Sequence, residues 1–219
     1  AEDFRLIRDC LKENKVGQRK PNVLWPIQQK AIDEMFDLPR PPNDKGPKRV
    51  TCVMPCGTGK TLVAIRYAEK IQANRIVVLL PSLMLVDQAI KDWCNDSKTP
   101  NQDFSYHVIC SSKQGSGKQD CKHDEMQFDK NDFKCVISTN PEDVIEFFQN
   151  NKDRCQVIFC TYQSTNVLKE ALSYNQLDTD LIIFDEAHRT AGKAERTFSL
   201  ALTDDNIPSK HRLFLTATP

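Results

Sequence analysis

Apolar residues fall along this chain in short, dense runs separated by longer stretches of helical spacing. Val50–Met54, Arg75–Leu80, Phe104–Cys110, Phe133–Ser138, Gln156–Thr161, Leu181–Phe184 and Arg212–Thr216 are rich in Val, Ile, Leu and Phe. Most are apolar at nearly every position, the pattern of a strand buried on both faces. Between them, Thr61–Glu69, Leu83–Trp93, Pro141–Phe148 and Ser164–Leu172 carry apolar residues at helical spacing, and Leu24–Phe36 reads as a helix opened by Pro26. A further helix is expected over residues 2–12, where Phe4, Ile7 and Leu11 repeat. Strands alternating with helices predict an α/β protein with a doubly wound parallel sheet. In such a sheet the ligand site lies at the carboxyl ends of the strands. Residues 39–49 hold four prolines and form a linker. The chain is therefore expected to divide into N-terminal helices plus linker (1–48) and a larger lobe (49–219). Residues 111–132 are polar and aperiodic and read as a mobile surface insertion.

Candidate chemistry collects at the strand ends. The run Val50–Met54 breaks at Pro55 into the loop Cys56, Gly57, Thr58, Gly59, and a helix pattern begins at once with Lys60 and Thr61. A strand, a glycine loop and a helix start in that order make a phosphate cradle. The glycines let the backbone N–H groups turn inward, and the helix adds about half a positive charge. Lys60 can reach the β- and γ-phosphates, and the Thr61 hydroxyl can ligate Mg2+. The strict G-x-x-x-x-G-K-[ST] pattern wants glycine where this chain has Met54. At the end of Leu181–Phe184 two carboxylates emerge. Asp185 is suited to hold the Mg2+ of a bound nucleotide, and Glu186 to orient and deprotonate an attacking water.

Composition narrows the class. Thirty basic residues balance thirty acidic ones, so no global field draws the chain to nucleic acid or membrane, although a local patch suffices for the former. No apolar run approaches the ~20 residues of a membrane span, and residues 1–20 are charged rather than signal-like; an intracellular protein with no membrane partner is expected. The nine cysteines include no C-x-x-C pair. Cys110, Cys121, His123 and Cys135 fit no zinc-finger spacing, so free thiols are expected.

The ordered blocks together resemble a known family. Met54–Thr61, Asp185-Glu186-Ala187-His188 and Thr216-Ala217-Thr218 look like motifs I, II and III of superfamily-two helicases of the DEAH-box type. Leu80–Gln88 is similar to motif Ia. Cys160–Ser164 and Asp185–Gly192 look most like the branch that contains the motor subunits of type I and type III restriction enzymes. The resemblance runs from about Leu24 to Pro219. It implies a RecA-like P-loop NTPase lobe that binds ATP and Mg2+ and belongs to an ATP-dependent helicase or translocase. Within that family Gln28 would read the adenine edge. His188 would couple the nucleotide state to Thr216 and Thr218, and Ser82 and Thr161 would contact the phosphates of a tracked strand. Ser82 and Thr161 could equally be helix N-caps, and Trp25, which departs from the family's usual residue, reads as a packing residue. The resemblance also implies a second RecA-like lobe carrying an arginine finger, so this lobe alone is expected to hydrolyse ATP weakly. DNA is the favoured polymer. RNA helicase activity and an ATP-gated nucleic-acid sensor or clamp are the alternatives, and a P-loop kinase fits the motifs poorly.

Overall fold

The computed structural model describes residues 22–39, 46–97, 104–110, 137–174, 177–190 and 200–218. The expected helix over 2–12, the insertion over 111–132 and most of the 39–49 linker lie outside them. Among the described residues seven strands form one sheet: β1 (Lys48–Val53), β2 (Arg75–Leu80), β3 (Ser105–Ile109), β4 (Ile137–Ser138), β5 (Gln156–Thr161), β6 (Thr179–Phe184) and β7 (Ser209–Thr216). Every pairing is parallel, and the spatial order is β1-β7-β6-β2-β5-β3-β4. Helices α1 (Pro26–Asp37), α2 (Lys60–Lys70), α3 (Leu83–Asp96), α4 (Pro141–Asn150) and α5 (Thr165–Tyr174) connect and cover it.

The dense apolar runs follow from burial on both faces. In β2, Ile76, Val78 and Leu80 face one core while Val77 and Leu79 face the other. In β6, Leu181 and Ile183 oppose Ile182 and Phe184 in the same way. The first core is closed by α1, α2 and α3, through residues such as Ile32, Met35, Val63, Ile65, Val86 and Trp93. The second is closed by α4 and α5, through Val144, Phe148, Leu168 and Leu172. Helices on both faces make the sheet doubly wound, as the strand–helix alternation predicts. Ile32 and Met35 of α1 sit in the same core as β1 and α2.

Two expectations need correction. The run at Val50–Met54 reads as a fully buried strand, yet β1 is half-buried. Only Val50 and Cys52 face the core, while Thr51 is exposed and Val53 is 48% exposed. The reason is position, since β1 ends the sheet and pairs only with β7 among the described residues. The helix expected from Ser164 starts at Thr165, after a 3-10 turn over Tyr162–Ser164. Among the described residues no helix is long and apolar enough to cross a membrane. The six described cysteines (Cys52, Cys56, Cys94, Cys110, Cys155 and Cys160) carry free thiols.

The two faces should differ in tolerance. Phe184 is fully buried and stacks on Phe214 with ring centroids 4.5 Å apart. Phe184→Ala is expected to cost about 3–5 kcal/mol in urea unfolding, whereas Val53→Ala on the exposed side of β1 should stay within about 0.5 kcal/mol.

Candidate nucleotide site

Because every strand is parallel, the loops after β1, β2, β5, β6 and β7 open on one edge of the sheet. β7 lies between β1 and β6, with Val53 level with Thr216 and Phe184 level with Phe214. The glycine loop, Thr216 and the acidic turn are thus neighbours although more than a hundred residues separate the loop from the other two in the chain. Backbone bonds tie these strand ends to one another. Met54 donates its N–H to the Thr216 carbonyl at 3.0 Å, and Asp185 donates its N–H to the Leu79 carbonyl of β2 at 3.0 Å.

The loop has the left-handed backbone that a phosphate cradle needs. Gly57 and Gly59 have φ of 77° and 78°. Gly59 is also the residue before α2, where its carbonyl accepts the Val63 N–H. A side chain there would put its Cβ 2.6 Å from Gln28 Nε2. Gln28 is buried in α1 and uses both ends of its amide. Nε2 donates to the Thr58 carbonyl at 2.7 Å, and Oε1 accepts the Trp25 N–H at 2.8 Å. The first helix and the glycine loop are therefore bolted to one another, a link the residue order does not reveal. Met54 needs no glycine. Its side chain is buried in the core, and among the described residues only Gln72 and Glu186 are non-glycines with positive φ.

Lys60 is buried, with its ammonium 3.4 Å from the Met54 carbonyl and 3.9 Å from Glu186 Oε1. Both contacts are long, so the ammonium is held loosely and can move to an anion in the loop. Glu186 also lies 3.2 Å from His188 Nδ1, which is 3.3 Å from Thr216 Oγ1. Thr216 gives its one hydroxyl proton to the Thr218 carbonyl at 2.7 Å and accepts the Thr218 N–H at 3.2 Å. An ionised Glu186 carboxylate can only accept, so a hydrogen bond along its 3.2 Å contact uses the His188 tautomer with its proton on Nδ1. That N–H faces Glu186 and Thr216 together. Lys60, Glu186, His188, Thr216 and Thr218 form one continuous polar chain.

Burial holds the Asp185 carboxyl above the usual carboxylate range, an effect the Glu186 N–H opposes by donating to Oδ1 at 3.0 Å. A carboxylate desolvated in this way, beside the loop and the Lys60 ammonium, is the chemistry of a site that gains from a cation. Glu186 has φ of 50°, which costs a non-glycine residue roughly 1–2 kcal/mol. Thr61 stands in the first turn of α2, on the same edge. Cys56 is exposed at the start of the loop.

The outer positions are less direct. Ser82 precedes α3 and Thr161 precedes the 3-10 turn, but neither side chain caps its helix. The Thr161 hydroxyl is buried and bonds Ser164 Oγ at 2.9 Å. Trp25 is 57% exposed rather than packed into the described core, because α1 turns Gln28, Ile32 and Met35 inward and leaves its start at the surface. Tyr162 lies inside the Cys160–Ser164 block, but its contact is not legible there: its hydroxyl donates to the Asp185 carbonyl at 2.6 Å. Burial pushes its phenol well upward, so it remains a donor.

A parallel sheet wound on both faces, with a glycine loop, lysine and paired carboxylates on one edge, is the arrangement of a RecA-like P-loop lobe. The family model of the Type III restriction enzyme res subunit matches residues 22–219, and the chain belongs to that family. No curated protein matches the chain. Among solved structures, it is similar to a nuclease-deletion mutant of the Type ISP restriction-modification enzyme LlaGI in complex with a DNA substrate mimic. That match has 24% identity and a TM-score of 0.70 over 90% of this chain and 15% of the other. It is also similar to the ATP-dependent Type ISP restriction-modification enzyme LlaBIII bound to DNA, with 25% identity and a TM-score of 0.69 over 91% of this chain and 13% of the other. The Hef helicase domain of Pyrococcus furiosus matches with 21% identity and a TM-score of 0.52 over 88% of this chain and 32% of that one. The chain therefore spans only a small part of the length of the two restriction enzymes.

The doubly constrained Gly59 offers a sharp test of the loop. Gly59→Ala combines an unfavourable φ with the clash against Gln28, and is expected to weaken binding of a fluorescent ATP analogue at least about tenfold, equivalent to about 1.4 kcal/mol. An unaltered affinity would mean that this loop does not hold the phosphates.

Proposed function

We propose that this chain is the ATP-binding lobe of an ATP-dependent nucleic-acid motor of the DEAH-box type, acting on DNA. The observation that carries the reading is the polar chain from Lys60 through Glu186 and His188 to Thr216, which connects a phosphate loop to the end of a neighbouring strand. Gln28 sits where it can face an adenine edge, and each end of its amide has one bond in use and one to spare. The backbone of Cys56, Gly57, Thr58 and Gly59 wraps the phosphates, and Lys60 leaves its loose contacts to pair with them. Thr61 and Asp185 would hold Mg2+, which would neutralise charge on the phosphate oxygens.

Once Lys60 has moved to the phosphates, Glu186 can accept a proton from water as the water oxygen attacks the terminal phosphorus and the bond to the bridging oxygen breaks. His188, with its N–H between Glu186 and Thr216, passes the resulting change to the Thr216–Thr218 segment. Ser82, after β2, lies on the same edge and suits contact with a polymer backbone; Thr161, at the end of β5, is buried with its hydroxyl on Ser164 and would have to open to make one. The LlaBIII protein, ATP-dependent and bound to DNA, favours DNA over RNA as that polymer. A second lobe supplying an arginine belongs to this reading, and the isolated lobe should then hydrolyse ATP slowly.

Lys60→Ala should reduce ATP affinity of the lobe at least about tenfold, about 1.4 kcal/mol, by isothermal titration; unchanged affinity would remove the phosphate assignment. In the full-length protein, Glu186→Gln should keep ATP binding and lower turnover by about 10²-fold or more. Full-length protein should hydrolyse ATP faster with duplex DNA than with single-stranded DNA or RNA. Stimulation by RNA alone would make it an RNA motor, and hydrolysis without measurable movement along the polymer would make it a clamp.

A further inference from the structure

The hydrolytic turn is held by a residue outside the nucleotide motifs. Asp185 and Glu186 share a peptide unit, and both of its polar groups are pinned. The Glu186 N–H donates to Asp185 Oδ1 at 3.0 Å, and the Asp185 carbonyl accepts the Tyr162 hydroxyl at 2.6 Å. Tyr162 comes from the end of β5, and β2 lies between β5 and β6. Its hydroxyl therefore joins the ends of two strands that are not neighbours in the sheet. The ring is buried in the second core with Leu168, Leu172 and Phe184, and its own carbonyl is fixed by the Thr165 hydroxyl at 2.5 Å.

The Tyr162 bond lands beside a strained residue. Glu186 has φ of 50°, a conformation that a non-glycine residue keeps only when its surroundings enforce it. Rotation of the Asp185–Glu186 peptide would relieve that strain and would swing the Glu186 carboxylate away from Lys60 and His188. The Tyr162 hydroxyl resists the rotation from the carbonyl side. We propose that Tyr162 is a positioning residue for hydrolysis, holding the Asp185–Glu186 peptide so that Glu186 stays aimed at the attacking water. The inference rests on the ATP-hydrolysis reading above and adds a residue to it.

The test is Tyr162→Phe in the full-length protein, which keeps the ring and removes the hydroxyl. ATP turnover is measured with saturating DNA, and the folded fraction is read from circular dichroism. The expected result is a kcat per folded molecule lowered about tenfold, a KM for ATP within about twofold of wild type, and little further loss when Glu186→Gln is added. A purely structural tyrosine would lower the melting temperature and the folded fraction with kcat per folded molecule unchanged, and that result would overturn the proposal. So would a raised KM at unchanged kcat, or full additivity with Glu186→Gln. Active wild type with an equally active Tyr162→Phe variant sinks this inference alone, whereas wild type without ATPase activity sinks the hydrolysis reading and this inference together.

Discussion

Parallel insertion of β7 between β1 and β6 is the constraint on which the site depends. It makes Thr216 level with Val53 and sets the ends of β1, β7 and β6 side by side. From there Thr216 accepts the N–H of Met54, just before the glycine loop, through its carbonyl, and meets His188 through its hydroxyl. Were β1 and β6 direct neighbours, no residue would stand between phosphate loop and acidic turn to sense both. A parallel strand can be inserted only through a crossover connection, so this order is bound to the helices and loops that carry the chain from one strand to the next.

The lobe concentrates its stabilisation in two apolar cores and leaves its polar edge under-satisfied. Fully buried residues such as Val77, Leu79, Ile158, Ile182 and Phe184 sit behind the site. The edge itself holds a lysine with long contacts, a desolvated carboxyl and a glutamate in a strained backbone. On the proposed reading, a bound anion would draw the lysine, a cation would offset the desolvation of the carboxyl, and the strained glutamate would act in the reaction. Stability supplied behind the site permits strain within it. The Gln28 amide is the exception, since it is well bonded at both ends and makes the glycine loop rigid from the side of α1.

Much of this fold is legible in the residue order, because burial on both faces leaves a visible mark. The runs that form β2, β5 and β6 are apolar at nearly every position, so their existence and central location follow from composition alone. The glycines of the loop, Lys60, Thr61 and the Asp185-Glu186 pair are readable because their chemistry demands particular residue types at fixed offsets. Residue order misjudges β1. Thr51 and Val53 are good strand residues whether or not anything covers them, and only sheet order decides that they are exposed. Trp25, which reads as a core or interface packing residue, lies outside the described core, since local pattern does not say which way a residue before a helix will face.

The sequence by itself determined the fold class, the elements and the local chemistry of each motif, because periodicity, glycine placement and side-chain type act over a few residues. Tertiary structure alone decided which strand ends are neighbours, and so the chain of contacts from Lys60 to Thr218. It alone joined Gln28 to the glycine loop and Tyr162 to the Asp185 carbonyl. Those bonds link residues 30 and 23 positions apart in the chain, across a helix packing or an intervening strand. No local rule specifies such a contact; it follows from strand order and crossover geometry.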